Sequence, residues 1–264
     1  MAISRVGVIG TGVIGEALIK ALLALGVSPT SIQISEKREN RRQEIVNQYG
    51  VTDFESVEDV DVLLVAVKPQ DFKETLNQLG AFQSKSALVI SFAAGIKIEK
   101  IEEQLGAHAR VIRVMPNTPI SMGRGMSALS AGKNVTAEDV EWTEKFLSTS
   151  GQTIMVDEKL QDAVTATSGS GPAYYFAFTE AVASAGERLG LSREDATLLA
   201  KETLIGAALM VEKSEKDLVM LRENVTSPNG TTAAALKILY LSGFSEIIYE
   251  AMKAARDRSI ELSS

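Results

Sequence analysis

The sequence predicts an α/β fold, in which a doubly wound, mostly parallel sheet is followed by an all-helical part. Three observations support this. Apolar, β-branched runs alternate with helical patterns from residue 5 to about 157. A glycine-rich turn joins the first run to the first helical pattern, and after Glu158 the apolar period stays near 3.6. We therefore predict a sheet domain over residues 1–158 and a helical domain over residues 159–264.

The first strand and helix carry the most informative turn. The strand begins at Val6, and Glu16–Leu23 has helical spacing. Between them the chain reads Gly10-Thr11-Gly12-Val13-Ile14-Gly15. In this strand–turn–helix context the three glycines allow a tight bend, close approach of a pyrophosphate, and close helix–strand packing. The helix N-terminus also presents free N–H groups to phosphates. The turn predicts a Rossmann-type site for a nicotinamide or flavin; the alternative is a plain glycine-rich turn.

The following elements continue the alternation. Predicted strands are Ile32–Ser35, Val51–Thr52, Val60–Val67, Ala87–Phe92 and Arg110–Val114. Predicted helices between them are Glu39–Tyr49, Phe72–Leu79 and Ile98–Leu105. Met126–Ser130 and Gln152–Val156 are predicted as edge strands that flank a helix over Ala137–Thr149. Continuous apolar strands separated by helices indicate a parallel sheet that is covered on both faces.

The helical part contains an apolar run that its own length can hardly enclose. Ser192–Asp195 has the pattern of a capping box at a helix start. Further along this helix, Leu204–Val211 is apolar on every side, which predicts burial all round. We therefore expect a homodimer formed through the C-terminal helices. The alternative is a helix buried within its own bundle.

The composition excludes several classes of protein. A formal charge of −7 argues against nucleic acid or an anionic membrane as a partner, and the sequence has no apolar run long enough to span a membrane. The absence of cysteine excludes disulfides and thiolate zinc sites. One histidine, His108 in a predicted loop, cannot build a histidine metal site, so no metal is predicted. A strand starting at Val6 leaves no room for a signal peptide, and we expect a cytoplasmic protein.

Polar or flexible residues follow several of the predicted strands. Ala66-Val67-Lys68-Pro69 ends the long apolar strand, while Ala94 and Asn117 follow the next two. Ligands of open α/β sheets bind beyond the carboxyl ends of the strands, so these residues are predicted to line the cofactor groove. Lys68 could contact phosphate or only reach solvent. Asn117 could bond the nicotinamide or its ribose, or cap a turn.

Residues after the second strand give conflicting signals about the cofactor. Glu36, which follows Ser35, is placed to accept a hydrogen bond from the ribose 2′-hydroxyl of NADH. A basic cluster follows directly, and such a cluster suits the 2′-phosphate of NADPH. It consists of Lys37, Arg38, Arg41 and Arg42. The alternative is an exposed helix start of mixed charge, so both NADPH and NADH stay open.

Two glycine-rich segments of the helical part precede helices. Ser168–Tyr174 leads into an apolar helix, and Asn224–Thr232 leads into a helix over Ala233–Leu241. Helix N-termini that carry hydroxyls and free N–H groups can hold a small carboxylate. The alternative is that both are simply capped helices.

Taken together, these motifs resemble the pyrroline-5-carboxylate reductase family. They are Gly10-x-Gly12-x-x-Gly15, Ala66–Pro69, Met115-Pro116-Asn117-Thr118-Pro119, Ser168–Tyr174 and Val225–Thr232. They occur in the family's order, and the resemblance runs from about residue 5 to Glu261. It implies NAD(P)H-dependent reduction of 1-pyrroline-5-carboxylate to L-proline, the last step of proline biosynthesis. It also implies a helical dimerisation domain, with dimers often building larger rings.

The resemblance also assigns candidate site residues. For the cofactor they are Gly10, Thr11, Gly12, Val13, Ile14, Gly15, Ser35, Glu36, Lys37, Asp53, Ala66, Val67, Lys68, Pro69, Ala94, Asn117 and Asn224. For the substrate they are Glu158, Ser170, Gly230, Thr231 and Thr232. We expect the Thr232 hydroxyl to bond the ring nitrogen, which makes it the candidate catalytic residue.

The sequence departs from the family's pattern at three positions. Asn229 stands where the family usually has a glycine, and asparagine is among the few residues that tolerate a positive φ. Asp53 stands where asparagine is common, and Glu36 is not the usual companion of a 2′-phosphate. Two other functions remain open. One is a Rossmann-fold reductase of a small keto or hydroxy acid, and the other is a non-enzymatic nicotinamide-binding redox sensor.

Overall fold

The computed structural model describes residues 3, 5–53, 60–68, 70–72, 74, 75, 87–106 and 108–262, and within them it forms one eight-stranded sheet. The chain divides into two compact units, Met1–Ser170 with Ala255–Ser264, and Gly171–Ala254. The strands, all in the first unit, are β1 Val6–Ile9, β2 Ile32–Ser35, β3 Thr52–Asp53, β4 Val62–Val65, β5 Leu88–Ser91, β6 Arg110–Met115, β7 Gly125–Ala131 and β8 Gly151–Met155.

The sheet of the first unit is doubly wound and mostly parallel. Its strand order is β3-β2-β1-β4-β5-β6-β7-β8, and only the β6–β7 pair is antiparallel. Its α-helices are α1 Val13–Ala24, α2 Glu39–Tyr49, α3 Ile98–Leu105, α4 Ala137–Ser148 and α5 Gln161–Val164. The predicted α/β class is therefore confirmed, with a mostly parallel sheet that precedes a helical region.

Helices cover both faces of the sheet, which explains why its strands are apolar without a break. In β4, Leu64 belongs to the core on the face covered by α1, together with Leu18. Its neighbour Leu63 belongs to the core on the other face, together with Ile98 and Ile101 of α3. Successive side chains of a strand point to opposite faces, so a strand covered on both sides needs an apolar residue at every position.

Three sequence predictions need correction or fall outside the described residues. The strand predicted over Val60–Val67 ends at Val65, where its pairing with Ile9 of β1 ends. The β7 strand is not an edge strand, because it lies between β6 and β8. Of the helix predicted over Phe72–Leu79, residues 72, 74 and 75 are helical, and residues 73 and 76–79 lie outside the described residues.

The second unit consists of helices with a largely exposed apolar surface. They are α6 Gly171–Arg188, α7 Arg193–Lys213, α8 Leu218–Asn224, α9 Thr231–Leu241 and the first part of α10 Phe244–Leu262. Ser192 caps α7 by accepting a hydrogen bond from the Asp195 N–H at 3.1 Å. The Asp195 carboxylate binds the Ser192 hydroxyl rather than its N–H, so the predicted capping box is only half formed.

The predicted burial of Leu204–Val211 is not achieved within one chain. Leu204 is half-buried, whereas Met210 and Val211 are 52% and 51% exposed. The alternative of a helix buried inside its own bundle is therefore wrong. Among the residues that the structure describes, none of the helices combines the length and apolar character needed to cross a bilayer.

Candidate functional site

The three glycines of the first turn are required for different reasons. Gly10 has φ +85°, and a Cβ there would lie 2.8 Å from the Ala66 carbonyl oxygen. A Cβ on Gly15 would lie 1.9 Å from the Gly10 carbonyl oxygen. A Cβ on Gly12 would meet no atom within 4 Å. The protein's own packing thus requires glycine at the first and third positions, whereas Gly12 faces open space and leaves room for a ligand to approach the backbone.

Gly12 lines a cavity of about 850 Å³ at the carboxyl ends of β1, β2 and β4. The cavity brings together nine of the sequence-predicted cofactor residues: Gly10, Gly12, Val13, Ser35, Glu36, Lys37, Ala66, Val67 and Lys68. Its other lining residues are Ile9, Arg38, Arg41, Gln70, Asp71 and Thr75. The volume lies within the range of small-molecule and cofactor sites, so the residues present fit a dinucleotide.

Other predicted cofactor residues lie elsewhere. Thr11 is fully buried. Ile14 and Gly15 belong to α1 and do not line the cavity. Asp53, at the end of β3, forms an ion pair with Arg42 at 3.1 Å. Ala94, after β5, does not line the cavity, and Asn224 belongs to the second unit. Pro69 lies outside the described residues.

Glu36 is already bonded by five donors. Thr11 donates its N–H and its hydroxyl to one carboxylate oxygen, at 3.1 and 3.0 Å. Arg38 donates its N–H at 3.0 Å and binds both oxygens with its guanidinium at 2.9 and 3.1 Å. Burial raises the pKa of Glu36, but these hydrogen bonds outweigh it and lower the pKa to about 2. Glu36 is therefore ionised and paired.

The remaining cations of the cavity differ in how they are held. Lys37 forms an ion pair with Glu74 at 2.5 Å. Arg41 donates from Nε to the Thr11 carbonyl at 3.0 Å and also pairs with Glu16. Sequence reasoning noted the basic cluster but did not place Arg38 and Arg41 among the cofactor residues. No local pattern indicates that Arg41 reaches back to the glycine turn, 30 residues earlier.

Asn117 bridges two segments of the first unit. Its side-chain amide donates to the Ser168 carbonyl at 3.2 Å, and its oxygen accepts from the Met126 N–H at 2.8 Å. Ser170, at the end of the same segment, donates its N–H to the Thr165 carbonyl at 2.8 Å. The side-chain amide of Asn117 thus connects the carboxyl end of β6 to the segment that precedes α6.

Glu158 joins two other parts of the first unit. Its carboxylate accepts from the N–H of Ile98, the first residue of α3, at 2.8 Å, and from the buried Arg113 at 3.2 Å. Anions at helix N-termini are stabilising, because the first N–H groups have no partner within the helix. The contact spans 60 residues of sequence, so no local pattern reveals it.

The segment before α9 forms a tight turn. Gly230 donates its N–H to the Ser227 carbonyl at 3.0 Å, with Pro228 second and Asn229 third in the turn. Asn229 has φ +58° and is the one non-glycine residue with positive φ in the described part of the chain. Pro followed by a residue of positive φ is typical of a type II turn. A Cβ on Gly230 would lie 2.3 Å from the Ser227 hydroxyl, which explains the glycine there.

Two threonines open α9 with free hydrogen-bonding groups. Thr231 and Thr232 are its first residues, and their backbone N–H groups precede the first bond of the helix, which Ala234 donates to the Gly230 carbonyl. Within the described ranges, neither threonine hydroxyl has a hydrogen-bond partner. This helix start can therefore accept a small carboxylate.

The structure also bears on metal chemistry. In the described part of the chain, no group of three or more His, Cys, Asp or Glu residues could hold a metal ion. His108 is exposed in the turn before β6.

Two family models match the chain. Residues 158–262 match "Pyrroline-5-carboxylate reductase dimerisation", and residues 5–95 match "NADP oxidoreductase coenzyme F420-dependent". A pyrroline-5-carboxylate reductase of Corynebacterium melassecola is 42% identical, over 98% of this chain and 98% of that protein. One from Pseudomonas aeruginosa is 40% identical, over 100% and 98%.

Solved structures of similar proteins indicate the same family. A pyrroline-5-carboxylate reductase of Coxiella burnetii matches with a TM-score of 0.91 and 35% identity, over 99% of both chains. The Plasmodium falciparum pyrroline carboxylate reductase, solved with NADP bound, matches with a TM-score of 0.85 and 30% identity, over 100% and 99%. The chain belongs to the pyrroline-5-carboxylate reductase family of NAD(P)H-dependent oxidoreductases, which act on the C=N bond of a small substrate.

Proposed function

We propose that this protein reduces 1-pyrroline-5-carboxylate to L-proline with NADPH or NADH. Many reductases share a cavity at the carboxyl ends of parallel strands, so that cavity alone does not define the substrate. The observation that carries the proposal is the start of α9, where Thr231 and Thr232 present free N–H and hydroxyl groups. These groups match the two polar features of the substrate, a carboxylate and a ring nitrogen.

The cofactor is held by the residues around the cavity of the first unit. Gly12 allows the pyrophosphate to approach the backbone, and the N-terminus of α1 supplies N–H groups. Lys68, which follows β4, adds a positive charge for phosphate. When bound, NAD(P)H supplies a hydride to the carbon of the C=N bond.

The substrate is held and oriented by the start of α9. The N–H and the hydroxyl of Thr231 bind the carboxylate, whereas the Gly230 N–H is already bonded to the Ser227 carbonyl and shapes the turn. The Thr232 hydroxyl bonds the ring nitrogen and keeps the imine carbon in position. Ser170 and Glu158, which both belong to the first unit, stay predicted substrate residues. The bonds of Glu158 to Ile98 and Arg113 suggest that it positions the surrounding backbone.

The reaction needs little acid–base chemistry from the protein. A cyclic imine can bind already protonated, so that its carbon is electrophilic and its nitrogen already carries the proton found in the product. A strong general acid is then unnecessary. This agrees with a sequence that has no cysteine and one exposed histidine.

We further propose that the helical domain, residues 159–264, forms a homodimer and larger assemblies built from it. Its exposed apolar helices and its match to a dimerisation domain support this. The sheet domain, residues 1–158, is proposed to carry the cofactor. The cytoplasm is the proposed compartment, because the reaction draws on the NAD(P)H pool of the cell interior.

The test is oxidation of NADPH and of NADH by 1-pyrroline-5-carboxylate, with identification of proline as product. In Thr232→Ala we expect turnover to fall by up to ~10²-fold, because a positioning or proton-relaying hydroxyl contributes on that scale. Thr232→Ser, which keeps the hydroxyl, serves as the matched control and should retain most of the activity. Wild-type turnover in Thr232→Ala would remove this residue from the mechanism. Cofactor binding without any oxidation would instead favour a keto-acid reductase or a redox sensor.

A further inference from the structure

One hydrogen bond joins two of the sequence motifs, residues 115–119 and 168–174. We propose that its donor, Asn117, is a positioning residue for the reaction, which holds the π-helical turn Thr165–Gly169 and thereby keeps Ser170 in place for the substrate. This rests on the proposed function, in which Ser170 is a predicted substrate residue. The family resemblance assigns Asn117 to the cofactor instead, so the two roles predict different defects.

The sequence deprives the Ser168 carbonyl of its ordinary helical partner. In an α-helix this carbonyl would accept a hydrogen bond from the N–H four residues later. That residue is Pro172, which has no N–H and whose ring crowds the carbonyl of the preceding turn. Backbone carbonyls rarely stay unpaired in folded proteins. The Ser168 carbonyl therefore needs a donor from outside the helix.

The chain widens into a π-helical turn just before this point. The turn covers Thr165–Gly169, and Ser170 closes it by donating its N–H to the Thr165 carbonyl at 2.8 Å, five residues earlier. Such turns are rare and frequently lie at functional sites. Ser170 stands between the turn and Gly171, where α6 begins. The place of Ser170 therefore depends on whether the π-helical turn is kept.

Asn117 holds this turn from the sheet. Its Oδ1 accepts from the N–H of Met126 in β7 at 2.8 Å, and its Nδ2 donates to the Ser168 carbonyl at 3.2 Å. Because the Met126 N–H can bond only the oxygen of the amide, Nδ2 must face the Ser168 carbonyl. A Cβ on Gly169 would lie 2.5 Å from Cε of Met115, so the turn also packs directly on the end of β6.

The segment that leads into the turn has its own anchor. Gln161 is fully buried, and its Nε2 donates to the Ala128 carbonyl at 3.2 Å and to the Ser130 hydroxyl at 2.9 Å. Ala166, inside the turn, is buried as well. Loss of the bond from Asn117 should therefore loosen the end of the turn and leave the rest of the first unit folded.

The first measurement needs neither substrate nor cofactor. Asn117→Asp keeps an oxygen for the Met126 N–H but replaces the donor to the Ser168 carbonyl with an oxygen. Hydrogen–deuterium exchange of the whole protein should show the amides of residues 165–170 exchanging about tenfold faster than in the wild type, the scale of one lost hydrogen bond. The amides of β1 should exchange at the wild-type rate.

Kinetics then separate the substrate from the cofactor. In Asn117→Asp the KM for 1-pyrroline-5-carboxylate should rise about tenfold, because Ser170 is no longer held in place. The Kd of NADPH, measured by titration, should change by less than about twofold, since the glycine turn is untouched. In Asn117→Asp combined with Ser170→Ala, KM should rise no more than about twofold beyond that of Ser170→Ala alone, because Asn117 acts through Ser170.

A rescue and a matched control test the bond itself. Pro172→Ala supplies an N–H that can bond the Ser168 carbonyl, so Asn117→Asp combined with Pro172→Ala should regain at least about half of the lost protection from exchange. Asn134→Asp is the control, because Nδ2 of Asn134 likewise donates to a carbonyl, that of Ala109 before β6, at 3.0 Å. It should leave the exchange of residues 165–170 and the KM within about twofold of the wild type.

The outcomes that overturn the proposal are equally specific. Unchanged exchange of residues 165–170 in Asn117→Asp, or an equal change in Asn134→Asp, would show that Asn117 does not hold the turn. A weaker NADPH affinity with an unchanged KM would assign Asn117 to the cofactor, and a wild-type KM in Ser170→Ala would show that the turn does not serve the substrate. A protein that fails to reduce 1-pyrroline-5-carboxylate but keeps the exchange effect and its rescue would refute the proposed function and leave the hold of Asn117 on the turn intact.

Discussion

The two units of this protein differ in how far along the sequence their side-chain hydrogen bonds reach. In the first unit, polar groups far apart in sequence meet, as when Glu36 accepts two hydrogen bonds from Thr11, 25 residues earlier. In the second unit, Thr179 and Thr197 each donate to a carbonyl four residues earlier in their own helix, and Thr226 donates to the Arg222 carbonyl of the preceding α8. The first unit also buries its apolar strands on both faces.

The apolar side chains of the second unit show the same contrast. Phe176 is 65% exposed, Ile247 is 62% exposed and Met210 is 52% exposed. Exposed apolar surface on this scale marks an interaction site. The first unit thus has a buried apolar core beside its cavity, whereas the surface of the second unit suits association with another copy. Variants in the two units should therefore fail in different ways.

The largest effect is expected for Gly15→Val in the first unit. A Cβ there overlaps the Gly10 carbonyl, so the helix cannot keep its place against the strand. We expect a loss of about 3 kcal/mol or more in the free energy of unfolding, because such overpacking strains the backbone. Chemical denaturation measures it.

Gly12→Ala is the matched control for that variant. Its Cβ meets no atom of the protein within 4 Å, so stability should change by less than about 1 kcal/mol. The affinity for NADPH should nonetheless fall at least about tenfold, since the methyl group occupies the space left for the pyrophosphate. Equal stability losses in both variants would contradict this division of roles.

A charged substitution on the apolar surface of the second unit should weaken association between copies and leave folding intact. In Met210→Glu we expect the dissociation constant of the oligomer to rise about a hundredfold or more, because a two-fold interface would bury two unpaired carboxylates. Sedimentation velocity measures the assembly. Met122→Glu, at a residue 80% exposed in the first unit, is the control and should leave the assembly unchanged. An unchanged assembly in Met210→Glu would place the interface elsewhere.

The same contrast explains what the sequence could predict. Strand and helix positions follow from local apolar periodicity, so the sequence predicts the strands of the first unit to within a few residues, whereas it gives no bounds for α8 and α10 of the second unit. The positive φ required of Asn229 could be anticipated because it depends on one residue in one turn. The pairing of Glu36 with Thr11 and Arg38, and of Glu158 with Ile98, depends on tertiary neighbours that no local pattern encodes. The position of β7 inside the sheet depends likewise on β8, which follows it.

A smaller effect is expected in the turn before α9. Asn229→Val should cost about 1–2 kcal/mol of stability, because a β-branched residue is strained at φ +58°. It should also raise KM for the imine substrate, since Gly230 and Thr231 follow directly. Asn229→Gly relieves the conformational restriction and should keep stability within about 1 kcal/mol. If the valine variant matches the wild type in both stability and KM, the turn does not constrain the substrate loop.

The smallest effect concerns the loss of stability at low pH. We expect this loss to depend mainly on the hydrogen bonds and ion pairs of Glu16 in the first unit. The Tyr49 hydroxyl donates to Glu16 at 2.6 Å, and Arg41 and Lys20 also bind its carboxylate. The bond from Tyr49 lowers the pKa of Glu16 most; although burial raises it, the pKa is about 2, against an ordinary value of 4.5. Because the folded pKa is the lower one, the stabilisation is fully present above about pH 4.5 and is lost as the pH falls towards 2.

Glu16→Gln should therefore be less stable than the wild type by about 1–2 kcal/mol at pH 7, a figure reduced for solvent screening. The two proteins should converge as the pH approaches 2, because protonation removes the same charge from the wild type. Urea denaturation between pH 2.5 and pH 7 measures the difference. Glu103→Gln, an equal charge change at an exposed position of α3, should run parallel to the wild type. A Glu16→Gln curve parallel to that control would show that this network does not govern acid stability.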